Sequence, residues 1–193
     1  MLAKFFGQYL VTNSPNSMND GLKHCNSPDH PMLRKARPEK IIYCYADPRL
    51  AVLSLFRRGL ADGMQVKLRY FSDDIERYRY LVNERSSRVK SKEEFFNMGY
   101  DCFGINSFWN NWLHGIIDCP VLFLRYDSIW SNAEKIFDYV GLSKQLLPRF
   151  PCRRGRLTSL DNISEDNLAA LDRIYQQTII SMQQMAPFAM RLP

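Results

Sequence analysis

Between Lys40 and Gly59 the chain runs through an unbroken apolar stretch and then changes to helical spacing. Ile41 to Tyr45 is β-branched and aromatic, of strand length, and bounded by polar residues. That pattern predicts a central parallel strand. Asp47 suits a helix N-cap, and Pro48 suits the first helical position, where its missing N–H costs nothing. Leu50, Leu53, Ser54 and Arg57 then share one side, with Ala51 and Leu55 in a second apolar row. Gly59 stands where a helix C-cap is expected. A strand end feeding a helix N-terminus is where α/β proteins bind phosphate, because free N–H groups and the helix dipole converge there. The same pattern also serves as a plain βα unit of a core.

The rest of the chain extends this reading. Residues 13–39 are loop-like, with Pro15, Pro28, Pro31 and Pro38 among many Asn, Ser and Asp. From Gly63 to Ile117 the pattern is helical in several pieces. Near its end Phe108, Trp109, Trp112, Leu113 and Ile116 form an apolar stripe. Pro120 introduces a second strand, Val121 to Arg125. A helix capped by Ser131 or Asn132 carries Ala133, Ile136, Phe137 and Val140 inward and stops at Gly141. A basic loop covers Pro148 to Thr158. The last helix starts near Ser164, puts Leu168, Leu171, Tyr175, Ile179 and Met182 on one face, and ends before Pro187. Strands separated by helices predict an α/β fold, a parallel sheet flanked by helices with right-handed crossovers. Two strands make a thin sheet, so a further strand is expected near Lys23 or its flanks.

Composition narrows the class. The 193 residues suit a single domain spanning 1–193. No apolar run approaches the ~18 residues of a membrane span, and Met1 to Leu10 lacks the build of a signal peptide. The five cysteines are widely and irregularly spaced, without a CxxC pair. His24, Cys25, His30 and His114 do not match zinc-ligand spacing. Reduced thiols and a cytoplasmic location are the expectation. A net charge of +6 points to a partner rich in phosphate or sulfate. Its distribution is more informative. Residues 67–92 mix both signs, as a solvated helical face does, whereas Arg149, Arg153, Arg154 and Arg156 have no acidic neighbour before Asp161.

In order, these segments resemble the sulfotransferase superfamily that uses 3′-phosphoadenosine-5′-phosphosulfate (PAPS). Ile41 to Ser54 is similar to the family's strand–Arg-Asp-Pro–helix segment, where an Arg and a Ser eight residues later hold the 3′-phosphate. Trp112-Leu-His114, Pro120 to Asp127 and Ile136 to Gly141 resemble the second strand, its Tyr-Glu/Asp end and the helix after it. Arg153-Arg154-Gly155 resembles the Arg-Lys-Gly loop that clamps the same phosphate. Lys23-His24 is similar to the segment whose His is the general base in many members. The resemblance covers about residues 23–182 and implies a P-loop-NTPase-like sulfotransferase architecture.

The resemblance implies His24 as base, with Ser54, Arg153, Arg154 and Gly155 binding PAPS or its product adenosine 3′,5′-bisphosphate. It implies a carbohydrate or small hydroxylated molecule as acceptor. The residue types suit the chemistry. A His can take the acceptor's proton at neutral pH. Cations and hydroxyls stabilise charge on the phosphate leaving group. On the residues alone, His24 reads as a loop histidine, and Ser54 as a small residue at a helix–sheet contact. Trp109 and Trp112 read as core, or as one wall of an acceptor cleft.

Two departures stand out. Ala46 occupies the family's 3′-phosphate Arg position, a loss worth roughly 10- to 100-fold in affinity unless Arg49, Arg57 or Arg58 reaches in. The family's opening strand and Gly-rich phosphosulfate loop have no counterpart, and Met1 to Leu10 resembles the helix that follows them. The expectation is an N-terminally truncated frame. Three alternatives stand beside an active transferase. The first is a catalytically degenerate nucleotide-binding relative. The second is a basic module for nucleic acid or an acidic polymer, with nucleic acid the less expected partner. The third is a kinase-like binder, which the missing Gly-x-x-x-x-Gly-Lys-Ser/Thr loop opposes.

Overall fold

The computed structural model describes residues 5–10, 25–70, 89–153, 155 and 157–193, with backbone alone at 32 and 66–70. A short helix α1 (Pro31–Ala36) precedes β1 (Ile41–Tyr45), α2 (Pro48–Arg57) and α3 (Ala61–Tyr70). Then come α4 (Lys92–Met98), α5 (Ile105–His114), β2 (Val121–Arg125) and a 3-10 turn, Tyr126–Ser128. The chain ends with α6 (Ala133–Val140), a 3-10 segment Lys144–Arg149, α7 (Glu165–Gln184) and β3 (Phe188–Arg191).

The sheet has three strands in the order β1-β2-β3. β1 runs parallel to β2 from Ile41↔Val121 to Tyr45↔Arg125, and β3 runs antiparallel to β2. The sheet is therefore mixed rather than parallel. Its third strand comes from the C-terminus, while Lys23 lies outside the described residues. β2 is the central strand, fully buried from Val121 to Leu124. β1, expected at the centre, is an edge strand among the described residues, with Cys44 exposed.

Alternation along β2 divides the core. Val121 and Phe123 face Trp109 and Trp112 of α5 and Met182 of α7. Leu122 and Leu124 face Ile136 and Phe137 of α6, together with Phe5 and Phe6. Phe5 and Phe137 each pack edge to face with Phe150 and lie tilted against each other, at centroid distances of 5.4–5.9 Å. A third cluster joins α2, α4 and α7 through Val52, Phe95, Phe103, Leu171 and Tyr175. Trp109 and Trp112 belong to the core and not to a cleft wall. Trp109 is fully buried and donates to Ser181 Oγ at 2.8 Å, and Trp112 donates to the Cys25 carbonyl.

Helix ends follow the capping residues. Ser91 and Ser164 accept from backbone N–H groups three residues on, and Gly141 closes α6 at φ 76°. α5 stops at His114, two residues before its stripe ends, and leaves Ile116 83% exposed. A Cβ at Gly115 would lie 2.5 Å from the Asn111 carbonyl and from Pro28, so only glycine passes there. Arg191 of β3 then donates to the carbonyls of Trp112, Leu113 and Gly115, capping α5 with a cation where the helix dipole favours one.

Candidate functional site

The parallel pairing of β1 and β2 brings their carboxyl ends together, the usual ligand edge of an α/β sheet. Beyond β1, Asp47 caps α2 by accepting from the Arg49 N–H at 2.9 Å. The Arg49 guanidinium folds back onto the same carboxylate and also reaches Asp172 of α7 at 2.7 Å. The bond to Asp47, then that to Asp172, holds the Arg49 proton more firmly than usual despite partial burial. The amide end that suggested a phosphate seat thus already carries a carboxylate, and Arg49 is committed to two acids.

Two cavities open at this edge. One, of about 280 Å³, lies between the Tyr45–Pro48 turn and Ile179, Met182 and Gln183 of α7. The other, of about 470 Å³, is lined by Ser128, Ser131, Asn132, Arg153 and Pro187. Arg125 and Asp127 line both and form their common border. Arg125 Nε donates to Asp127 Oδ1 at 2.8 Å, and the two side chains are 37% and 46% exposed.

The wall of the larger cavity is a knot of local hydrogen bonds. Ser128 Oγ donates to the carbonyls of Arg125 and Pro187, while Ser131 and Asn132 both donate to the Ser128 carbonyl. Trp130 donates to the Pro151 carbonyl at 2.8 Å, and the Arg153 guanidinium lies 5.8 Å from its ring centroid. A cation over an aromatic face remains available to an incoming anion in a way that a salt-bridged one does not. Among the described residues no group of three or more His, Cys, Asp or Glu side chains is placed to hold a metal ion.

The residues singled out from the sequence are only partly assembled. Arg153 lines the larger cavity. Gly155 follows it, and a Cβ there would meet nothing within 4 Å, so packing does not demand glycine. Ser54 is half-buried on α2 and lines neither cavity. His24 and Arg154 lie outside the described residues, as do Arg156 and much of the mixed-charge stretch. Arg57 Nε donates to Thr158 Oγ1 at 3.0 Å, which fastens the far end of the basic loop to α2 one turn past Ser54. Neither Arg57 nor Arg58 lines either cavity. Arg125, Asp127 and Trp130 emerge only with the fold. Their signal in the sequence was position, a cation and a carboxylate at the end of a parallel strand.

No family model, no curated protein and no solved structure matches the chain. Among the described residues no helix is long and apolar enough to cross a membrane.

Proposed function

We propose that this is a sulfotransferase-like α/β domain whose cleft takes the adenosine 3′,5′-bisphosphate part of PAPS. In its active form it transfers the sulfuryl group to a hydroxyl of a carbohydrate or small molecule. One observation carries the reading: a parallel strand pair ends on two joined cavities bordered by Arg125 and Arg153. Cations at the carboxyl ends of parallel strands suit a phosphorylated ligand. The order of the resembling segments supplies the nucleotide. In the transfer, the acceptor oxygen bonds to sulfur as its proton goes to a base. The bond from sulfur to the phosphate oxygen breaks, and adenosine 3′,5′-bisphosphate leaves. His24 is the base by resemblance alone.

A second reading, a nucleotide binder without transfer activity, draws on Ala46 and on the carboxylate that caps α2. Both remove positive potential from the place where the family concentrates it.

Titration calorimetry with adenosine 3′,5′-bisphosphate tests the shared part of the two readings. Saturable one-to-one binding that weakens on Arg153→Ala supports both. Absence of binding at millimolar nucleotide rejects both. Heat that instead appears with unrelated nucleic acids and collapses steeply with salt would favour the basic-module alternative. Among binders, sulfate transfer from labelled PAPS that is lost on His24→Ala separates the active enzyme from the degenerate relative.

A further inference from the structure

The strongest feature of the cleft that the resemblance does not supply is Arg125. It is the last residue of β2 and pairs in register with Tyr45, the residue before Ala46. Adjacent strands lie ~4.8 Å apart, so its backbone sits one strand spacing from Tyr45 and diagonally across from Ala46, with which it lines the smaller cavity. It lines both cavities, as does Asp127.

Its hydrogen bonding is also asymmetric in a useful way. Nε alone is engaged, by Asp127. Among the described residues neither terminal nitrogen has a hydrogen-bond partner, so the Nη1–Nη2 edge of the guanidinium remains for a ligand. A carboxylate on Nε restrains the side chain and leaves a planar pair of donors that matches two oxygens of a phosphate. The other candidate cations are spent differently. Arg49 is held by Asp47 and Asp172, and Arg57 by Thr158.

We propose that Arg125 is the ligand of the 3′-phosphate in this cleft, supplying from β2 the cation that the strand–turn segment lacks at Ala46. This rests on the nucleotide-binding reading above. Asp127 acts as a positioning residue that orients the guanidinium.

The test is calorimetry with adenosine 3′,5′-bisphosphate beside adenosine 5′-monophosphate, which lacks the 3′-phosphate. Arg125→Gln is expected to weaken the bisphosphate about 10- to 100-fold. It should weaken the monophosphate by much less. Arg125→Lys keeps the charge without the fork and should recover only part of the loss. Ala46→Arg added to Arg125→Gln should restore affinity, because the cation returns by the neighbouring strand.

Circular dichroism melting shows whether each variant is folded, and Arg125→Lys carries the test if the Gln variant is not. If the wild type binds and Arg125→Gln binds as well, this inference fails while the nucleotide reading stands. Equal weakening of both nucleotides also overturns it, since the 3′-phosphate would then not be what Arg125 contacts. If the wild type binds neither nucleotide, the nucleotide reading falls and takes this inference with it.

Discussion

Arg49 Nη1 lies 2.7 Å from Asp172 Oδ1, tying the first turn of α2 to the middle of α7. Through this bond the two walls of the smaller cavity are held in one geometry, since the β1–α2 turn forms one wall and α7 the other. Arg49→Met should cost about 1–3 kcal/mol in urea unfolding, because it leaves the half-buried Asp47 carboxylate without its cation. Asp172→Asn should cost less, up to about 1 kcal/mol, since Arg49 keeps Asp47. Equal costs would mean that the α7 tether, not the neutralising of Asp47, is what matters.

The contact between Arg153 and Trp130 offers an optical readout. Trp109 and Trp112 are buried, whereas Trp130 is only half-buried beside the larger cavity. An anion that draws Arg153 away changes the field at one indole alone. Addition of adenosine 3′,5′-bisphosphate should therefore shift tryptophan emission in the wild type and leave Trp130→Phe unchanged. A shift that survives Trp130→Phe would locate the change at the core tryptophans instead.

Asp101 gives a pH prediction of unusual sign. Its carboxylate accepts from the N–H groups of Phe103 and Asn106 and from the Tyr175 hydroxyl. Burial nonetheless outweighs these bonds and lifts its pKa above the ordinary aspartate value. With the folded pKa raised, the ionised form weakens the fold at neutral pH. That cost is relieved as pH falls through the raised pKa. Measured against Asp101→Asn, the wild type should gain stability as pH falls from neutral toward the ordinary aspartate pKa of about 3.9. Urea midpoints at several pH values test this, and a wild type that loses ground to the variant on acidification would refute it.

Gln65 is 2% exposed and imitates a strand neighbour. Its side-chain amide accepts from Val89 N–H at 3.0 Å and donates to the Val89 carbonyl at 2.8 Å. Gln65→Leu fills the same space but abandons both backbone groups, a loss of about 2 kcal/mol or more. Gln65→Glu keeps the acceptor and removes the donor, so it should do harm at neutral pH and recover when protonated. Thermal melts across pH distinguish the two variants.

The sequence made some of this legible and hid the rest for identifiable reasons. β2 is buried on both faces, and its unbroken apolar run after Pro120 announced a strand, though not that it would be the central one. β1 carries a similar run, yet its position at the edge depends on which strand pairs with it, and composition does not encode that. β3 spans four residues after Pro187, with Met190 58% exposed. So short a segment shows no alternation, and the free edge of β2 makes it a strand. The caps at Asp47, Gly141 and Ser164 were readable because each acts within a few residues of itself. Arg49 was not. It looked free to serve a phosphate, and only the folded position of Asp172, a distant partner in sequence, shows it to be occupied. Arg125 was visible as a strand terminus, but its place beside Ala46 exists only through the β1–β2 register.

That register also governs how the chain reaches its native state. The two parallel strands are separated in sequence by everything from α2 to α5, so the sheet cannot be nucleated by a local hairpin. Closing so long a loop costs entropy before any ladder bond forms. Refolding should therefore be slow for a chain this rich in helix. The helices of the α2–α4–α7 cluster are themselves incomplete until α7, the last helix, arrives. During that interval the apolar faces of β1 and β2 stand open to other molecules, which makes dilution, more than temperature, the setting that decides the yield of native protein.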